Sequence, residues 1–424
     1  MTSAPKAMTG TDRRFDLLSL GTFVAVGLPD GMLGTAWPAM RHSFGAPIGD
    51  LGLILLVNCL GSVAVSAFVG RLIHRLGVIA LLAVAGLCAA VGGVGFAVAP
   101  GLWLVLCIGP LTGAASGMLD GGLNTAVALT GRPRLLNLLH GFYSIGTALG
   151  PLVVTAAILA GSWRPAYLVL VAVDLAAAGS WIVYHRKLPP PLLASPHDGA
   201  ATGVSNDVVS SADAPAMTEP TAGWSRRRVV SVLTAGLVVF FLYTGLEVGA
   251  GQWETSYLRG HLGLSASAAG LAAFGYWGAL CVVRIGLALP TKSVPAQRLI
   301  GGGVIFSVAA TALIWWQPDT VVSVGGFVLL GAALAGMFPA LIVVTPQRIG
   351  KLRAQHVIAW QVGAAAGGGS AISALIGLLI NTSGLDVLGP ALVVLALLLL
   401  AANTALARLA PIPTEGVSRG SARR

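Results

Sequence analysis

Twelve runs of mostly apolar residues dominate this chain, and their length constrains the fold more than any motif does. They lie near residues 16–40, 49–70, 78–99, 102–129, 137–160, 165–185, 229–257, 266–289, 298–316, 320–346, 355–380 and 386–408. A helix needs about 20 apolar residues to cross a hydrocarbon core, and each run is long enough. Within lipid, a backbone must satisfy its own polar groups, which helices of this length do. Composition points the same way: 9% of residues are charged and mean hydropathy is +0.85, against about 25% charged in a soluble domain. The expected class is an all-α membrane protein with twelve transmembrane helices, and the 57 glycines suit close helix packing.

The net charge of +10 is a topology signal rather than a binding signal. Arg41, Arg164 and Arg259 fall in loops of one parity and Arg284 lies inside a run, while the other 21 of the 25 Lys and Arg fall on the opposite side. The positive-inside rule makes that side the cytoplasm, with both termini and the central loop. No basic stripe with interleaved aromatics remains, so nucleic acid is not an expected partner. The first run follows Arg13 and Arg14 without a small-residue cleavage site, which reads as a retained anchor. The expected location is a multi-pass position in a cell membrane, a bacterial plasma membrane by preference. Cys59, Cys88, Cys107 and Cys281 all sit in apolar runs, so no disulfide framework is indicated.

The chain reads as two related halves. A shift of 218 residues brings "GLPDGMLGTAWPAMR" (27–41) onto "GLEVGAGQWETSYLR" (245–259), matching Gly27 with Gly245, Gly31 with Gly249 and Arg41 with Arg259. The register continues through Gly45 with Gly263 and Gly52 with Gly270. Six helices per half keep equivalent helices in the same direction, a parallel repeat. The expected organisation is an N-terminal six-helix bundle (1–185), a cytoplasmic linker rich in Pro, Ala, Ser and Asp (186–226), and a C-terminal bundle with a cytoplasmic tail (227–424).

With the span count and the repeat in place, the loop "GRLIHRLG" (70–77) resembles the major facilitator superfamily signature G-x-L-x-D-R-x-G through Gly70, Leu72, Arg75 and Gly77. His74 stands where the family usually has Asp. Two further stretches are similar to the fucose permease group of sugar:proton symporters: "LNLLHGFYSIGTALGP" (136–151), and the acid-plus-Asn pattern of Asp120 and Asn124. The resemblance implies two pseudo-symmetric six-helix bundles. It also implies coupling carboxylates in the first and fourth spans, places held here by Asp30 and Asp120, and a gating role for Arg75.

The residues support a compatible reading. A carboxylate at the centre of a membrane helix costs about 2.5–3.5 kcal/mol on insertion scales, so it lines a cavity or finds a partner. Asp30, Asp120 and Glu247 are therefore the candidate proton-coupling residues, whereas Asp174, in a span peripheral in the resembled fold, reads as packing. Sugars stack their C–H faces on aromatic rings and hydrogen-bond through their hydroxyls. Candidate solute-binding residues are accordingly Asn124, Tyr143, Gln252, Tyr276, Trp277, Trp360 and Gln361. The candidate gates are His74, Arg75, His140, Arg284 and His356, with Arg284 equally placed to pair with an acid or to snorkel.

The expected function is secondary active transport, by proton-coupled symport of a small polar solute such as a sugar. The alternative is a proton-driven antiporter exporting a drug or metabolite. "SIGTALGP" (144–151) holds the G-x3-G-P core of antiporter motifs, but Val153 and Val154 replace expected glycines and the fourth span lacks the arginine common in drug antiporters. No H-E-x-x-H, G-x-S-x-G or P-loop pattern is present, so an enzyme is not expected. No cofactor or metal is expected. The partners are the solute, the proton (with Na⁺ an open possibility) and the bilayer, and the chain is expected to act as a monomer.

Overall fold

The structure is a computed structural model, and it describes residues 13–129, 133–187, 224–288 and 294–411. The described residues are helical and contain no strand. Seven helices precede the central loop: α1 (Arg13–Phe44), α2 (Leu51–Ser66), α3 (Val69–Leu76), α4 (Val78–Val98), α5 (Leu102–Leu129), α6 (Pro133–Leu159) and α7 (Arg164–Lys187). Seven follow it: α8 (Arg226–Gly260), α9 (Ala266–Ala288), α10 (Ala296–Trp316), α11 (Thr320–Leu334), α12 (Met337–Ile349), α13 (Lys351–Ser383) and α14 (Leu388–Leu409). Among the described residues, 12 segments are long and apolar enough to cross a membrane.

Two segments depart from the sequence expectation. The signature "GRLIHRLG" was expected as a loop, but it forms the short helix α3, which Gly77 ends at φ 77°. Val69 is buried while Arg71, His74 and Arg75 are exposed, an amphipathic arrangement that lets this segment continue as helix beside the membrane span. The tenth apolar run breaks into α11 and α12 at residues 335–336. Pro339 lies in the first turn of α12, where proline's missing N–H is tolerated but would interrupt a helix continuing from α11. Gly336 supplies the cap.

The contacts group the chain into two compact units, residues 1–195 with 251–290, and residues 196–250 with 291–424. The first unit therefore takes in the end of α8 and all of α9. Small residues are the reason: a Cβ at Gly270 would fall onto Thr155 of α6, and one at Gly34 of α1 would meet the Gln252 backbone within 3 Å. The same economy of volume joins α1 to α6, where Gly27 abuts the Tyr143 carbonyl and Gly31 the Thr147 carbonyl. Trp181 of α7 donates its indole N–H to Thr22 Oγ1 at 2.9 Å and anchors a core that includes Phe23, Leu82 and Leu119. Trp37 is wholly buried and donates to the Ile48 carbonyl at 2.7 Å, holding the turn into α2. Asp174 is buried where α7 meets α4 at Gly86.

In the second unit, Gly245 and Gly249 of α8 abut Ile372 and Ile376 of α13, and Gly368 abuts the Phe241 carbonyl. Gly245 and Gly249 are the repeat partners of Gly27 and Gly31, so equivalent glycines serve equivalent helix pairs. Gly45 and Gly263, also matched by the repeat, both have positive φ (63° and 71°) just past α1 and α8. Phe240 meets Phe338 edge-on at 5.8 Å, and Arg228 binds the Leu409 carbonyl at 3.0 Å. Most of the 186–226 linker lies outside the described residues.

Candidate solute and proton site

Asp30 is exposed although Leu28, Gly31 and Met32 beside it are buried. This carboxyl, in the middle of a long helix, therefore faces open space. Pro29 precedes it and lacks the N–H that would have bonded the Ala25 carbonyl. The Tyr143 hydroxyl, from α6, donates to Asp30 Oδ2. Gln252 Nε2, from α8, donates to the backbone carbonyl of Asp30 at 2.8 Å. Three segments distant in sequence thus converge on one residue, and the glycine contacts of α1 with α6 and Gln252 allow that approach. Tyr143 and Gln252 were expected to bind solute; in the structure Tyr143 bonds the Asp30 carboxyl and Gln252 its backbone carbonyl.

Asp120 is half-buried on α5, and Asn124 Nδ2 donates to its Oδ1 at 2.9 Å. Asn124 keeps its own Oδ1 buried without a hydrogen-bond partner among the described residues. The glycines on this side of α5 meet neighbouring helices, Gly113 at the Asn58 carbonyl, Gly117 at Ser62 and Gly121 at Val69. The small face of α5 is therefore a packing face that brings α2 and α3 close.

Toward the α3 end of this unit, Arg284 Nη1 donates to Ser144 Oγ at 3.3 Å, and Ser144 in turn donates to the His140 carbonyl at 3.0 Å. His140 is exposed and meets Phe23 edge-on at 5.9 Å. These contacts bring two expected gating residues, His140 and Arg284, into one cluster. His74 and Arg75 stand apart from it, exposed on α3. Tyr276 and Trp277 are both buried, pack edge-to-face at 5.0 Å, and lie where a Cβ on Gly251 would fall. As described they fill space against α8.

In the second unit, the Tyr243 hydroxyl donates to Glu247 Oε2 one turn along α8, and both side chains are buried. Gln361 is buried and accepts from Thr345 Oγ1 at 3.0 Å. Trp360 is 59% exposed and His356 is also exposed, both on α13. Two buried charged residues escaped the sequence reading as site candidates: Glu254 of α8 and Arg348 of α12. Their signal was an ionisable residue inside an apolar run, the criterion that had selected Asp30.

Residues 18–374 match the family profile of the Major Facilitator Superfamily. The chain belongs to that superfamily. It is a multi-pass membrane transporter, and solved structures agree on the fold. A superfamily transporter, FucP, in the outward conformation superposes with a TM-score of 0.61 at 17% identity, covering 94% of this chain and 99% of that one. A variant of the E. coli fucose:proton symporter gives 0.60 at 16%, covering 93% and 98%. The human organic anion transporter MFSD10 (TETRAN) gives 0.66 at 16%, covering 94% and 100%. No curated protein matches the chain in sequence.

Proposed function

We propose that this transporter moves a small polar solute, of which a sugar is the leading class, together with protons by alternating access. The observation that carries the reading is the Asp30 site: an exposed carboxyl in mid-helix, bound by Tyr143 and braced by Gln252. In this reading Asp120 shares or relays the proton of Asp30, and carboxyls that interact titrate as a pair. A bound proton removes the charge that would otherwise resist closure over the site in a dry interior. The solute's hydroxyls would compete for Tyr143 and Asn124, so that solute and proton binding are linked. The likeness to a fucose:proton symporter supports this reading at the level of fold. Glu247 is a further coupling candidate, in a pair with Tyr243 of its own.

We also place both termini and the 186–226 linker in the cytoplasm, on the charge asymmetry of the loops. The division into bundles 1–185 and 227–424 rests on the 218-residue repeat. The G-x3-G-P stretch does not favour export. Gly146 abuts the Val24 carbonyl and Gly150 abuts α1 at Leu28 and Gly31, so the motif joins α6 to α1 whichever way solute travels.

The deciding experiment is flux in proteoliposomes under an imposed pH gradient, with solutes chosen by thermal stabilisation of the purified protein. An acidic exterior should drive accumulation for symport and expulsion for antiport. Asp120→Asn, which mimics the protonated acid, should keep solute exchange and lose uphill accumulation. Normal pH-driven accumulation by that variant would remove Asp120 from the coupling role.

A further inference from the structure

Residues 252–256 of α8, Gln-Trp-Glu-Thr-Ser, are all buried although four of the five are polar. Glu254 is fully enclosed, and both of its carboxyl oxygens are without a hydrogen-bond partner among the described residues. Gln252 Oε1, Thr255 Oγ1 and Ser256 Oγ are buried and unpartnered as well. On α8, Glu254 shares a face with Gly251 and Glu247, by i, i+4, i+7 spacing.

Among the described residues, the helices packed on this part of α8 bring no cation to it; α13, which meets Gly249 through Ile376, carries its ionisable groups Lys351, Arg353 and His356 at its other end. On α1, which touches Gln252, the ionisable groups are Asp30, then Arg41 and His42 at the end of the helix, and Arg13, Arg14 and Asp16 at its start. On α9, Tyr276 packs at Gly251; beyond it the side chains of Ala269, Ala272 and Ala273 are apolar, and Arg284 is engaged by Ser144 at the other end. Helix α6, which meets α9 at Gly270, has Tyr143 on Asp30 and, one turn earlier, His140. On α8 itself Glu247 is bonded to Tyr243, His261 stacks on Tyr257 and Arg259 is half-exposed. An ionised carboxylate at Glu254 would thus lose its hydration with no counter-charge or donor in exchange, and a group so placed neutralises instead.

We propose that Glu254 is a second proton-binding site, occupied while this end of α8 is enclosed by α1 and α9 and emptied when they part. On opening, the carboxyl O–H bond breaks, the proton passes to water, and the carboxylate left behind is hydrated. Reclosure then requires a proton to return. The site lies on α8, two residues from Gln252, and it makes the enclosed state favoured by acid. The proposal deepens the proton-coupling reading, to which it adds a site tied to conformation rather than to solute.

Two measurements on purified, solute-free protein test it. Infrared spectra at neutral pH should show the C=O band of a protonated carboxyl that Glu254→Gln removes. An unchanged band in that variant would overturn the proposal. In a background with the four cysteines replaced, the maleimide rate at Ser256→Cys, divided at each pH by the rate of the same maleimide with a small free thiol to remove the thiolate dependence, should rise with pH. Adding Glu254→Gln should make that rate low and flat, and Glu254→Asp should restore the slope. A slope unaffected by Glu254→Gln would also overturn it. Neither readout uses solute or a gradient, so absence of pH-driven uptake in vesicles would refute symport while leaving this test intact.

Discussion

Tyr143 shows how one hydroxyl can decide the behaviour of a carboxylate in a membrane helix. It donates to Asp30 Oδ2 from a helix more than a hundred positions away in sequence. A hydrogen bond to a charged group contributes about 1.5–3 kcal/mol, which corresponds to roughly 10- to 100-fold in an equilibrium constant. Tyr143→Phe keeps the ring and removes the donor. It should weaken solute-linked proton uptake by about that factor while the thermal unfolding midpoint moves little, because the side chain is only half-buried. Proton release and uptake recorded with a pH dye on solute addition would check it; unchanged linkage would show that the bond is incidental to coupling. Asp30→Asn should abolish the linked uptake altogether, measured the same way.

Among the elements, the α1–α6 pair is held by close backbone approach rather than by large side chains. A Cβ at Gly31 would fall onto the Thr147 carbonyl, whereas one at Gly21 meets nothing within 4 Å. Gly31→Ala should therefore destabilise by about 1–3 kcal/mol, the usual cost of overpacking. Gly21→Ala should be neutral or stabilising by about 0.5–1 kcal/mol, since alanine is the better helix former. The repeat extends the argument to the second unit, where Gly249→Ala would meet Ile376 at 3.0 Å. An isoleucine end yields where a backbone carbonyl cannot, so Gly249→Ala should cost less than Gly31→Ala. Thermal midpoints of the three purified variants, compared in one detergent, give the order. The repeated glycines were legible in sequence, but which of them meets backbone and which a flexible side chain was not.

At the scale of the whole molecule, topology is the property that the loop charges set most directly. The proposed orientation, which rests on that asymmetry, puts Ser210 of the central linker in the cytoplasm. A Ser210→Cys variant lacking the four native cysteines should resist an impermeant maleimide in intact cells and react after permeabilisation. Labelling from outside would reverse the topology.

Twelve spans, the helical class and the 218-residue repeat could be read from the chain alone, because a bilayer imposes length and apolarity on every crossing segment locally. The acids were legible for the same reason, since each stands out against an apolar run. What no local pattern contains is the partner of each acid. Asp120 finds Asn124 within its own helix, a pairing that i, i+4 spacing already suggests. Asp30 takes its partners from α6 and α8, and Glu254 has both carboxyl oxygens enclosed without a partner among the described residues. Those outcomes depend on how closely glycines let three helices approach, a long-range property of packing. Sequence thus determined where charge enters the membrane, and tertiary structure decided which of those charges is solvated, which is bonded and which is enclosed without a partner.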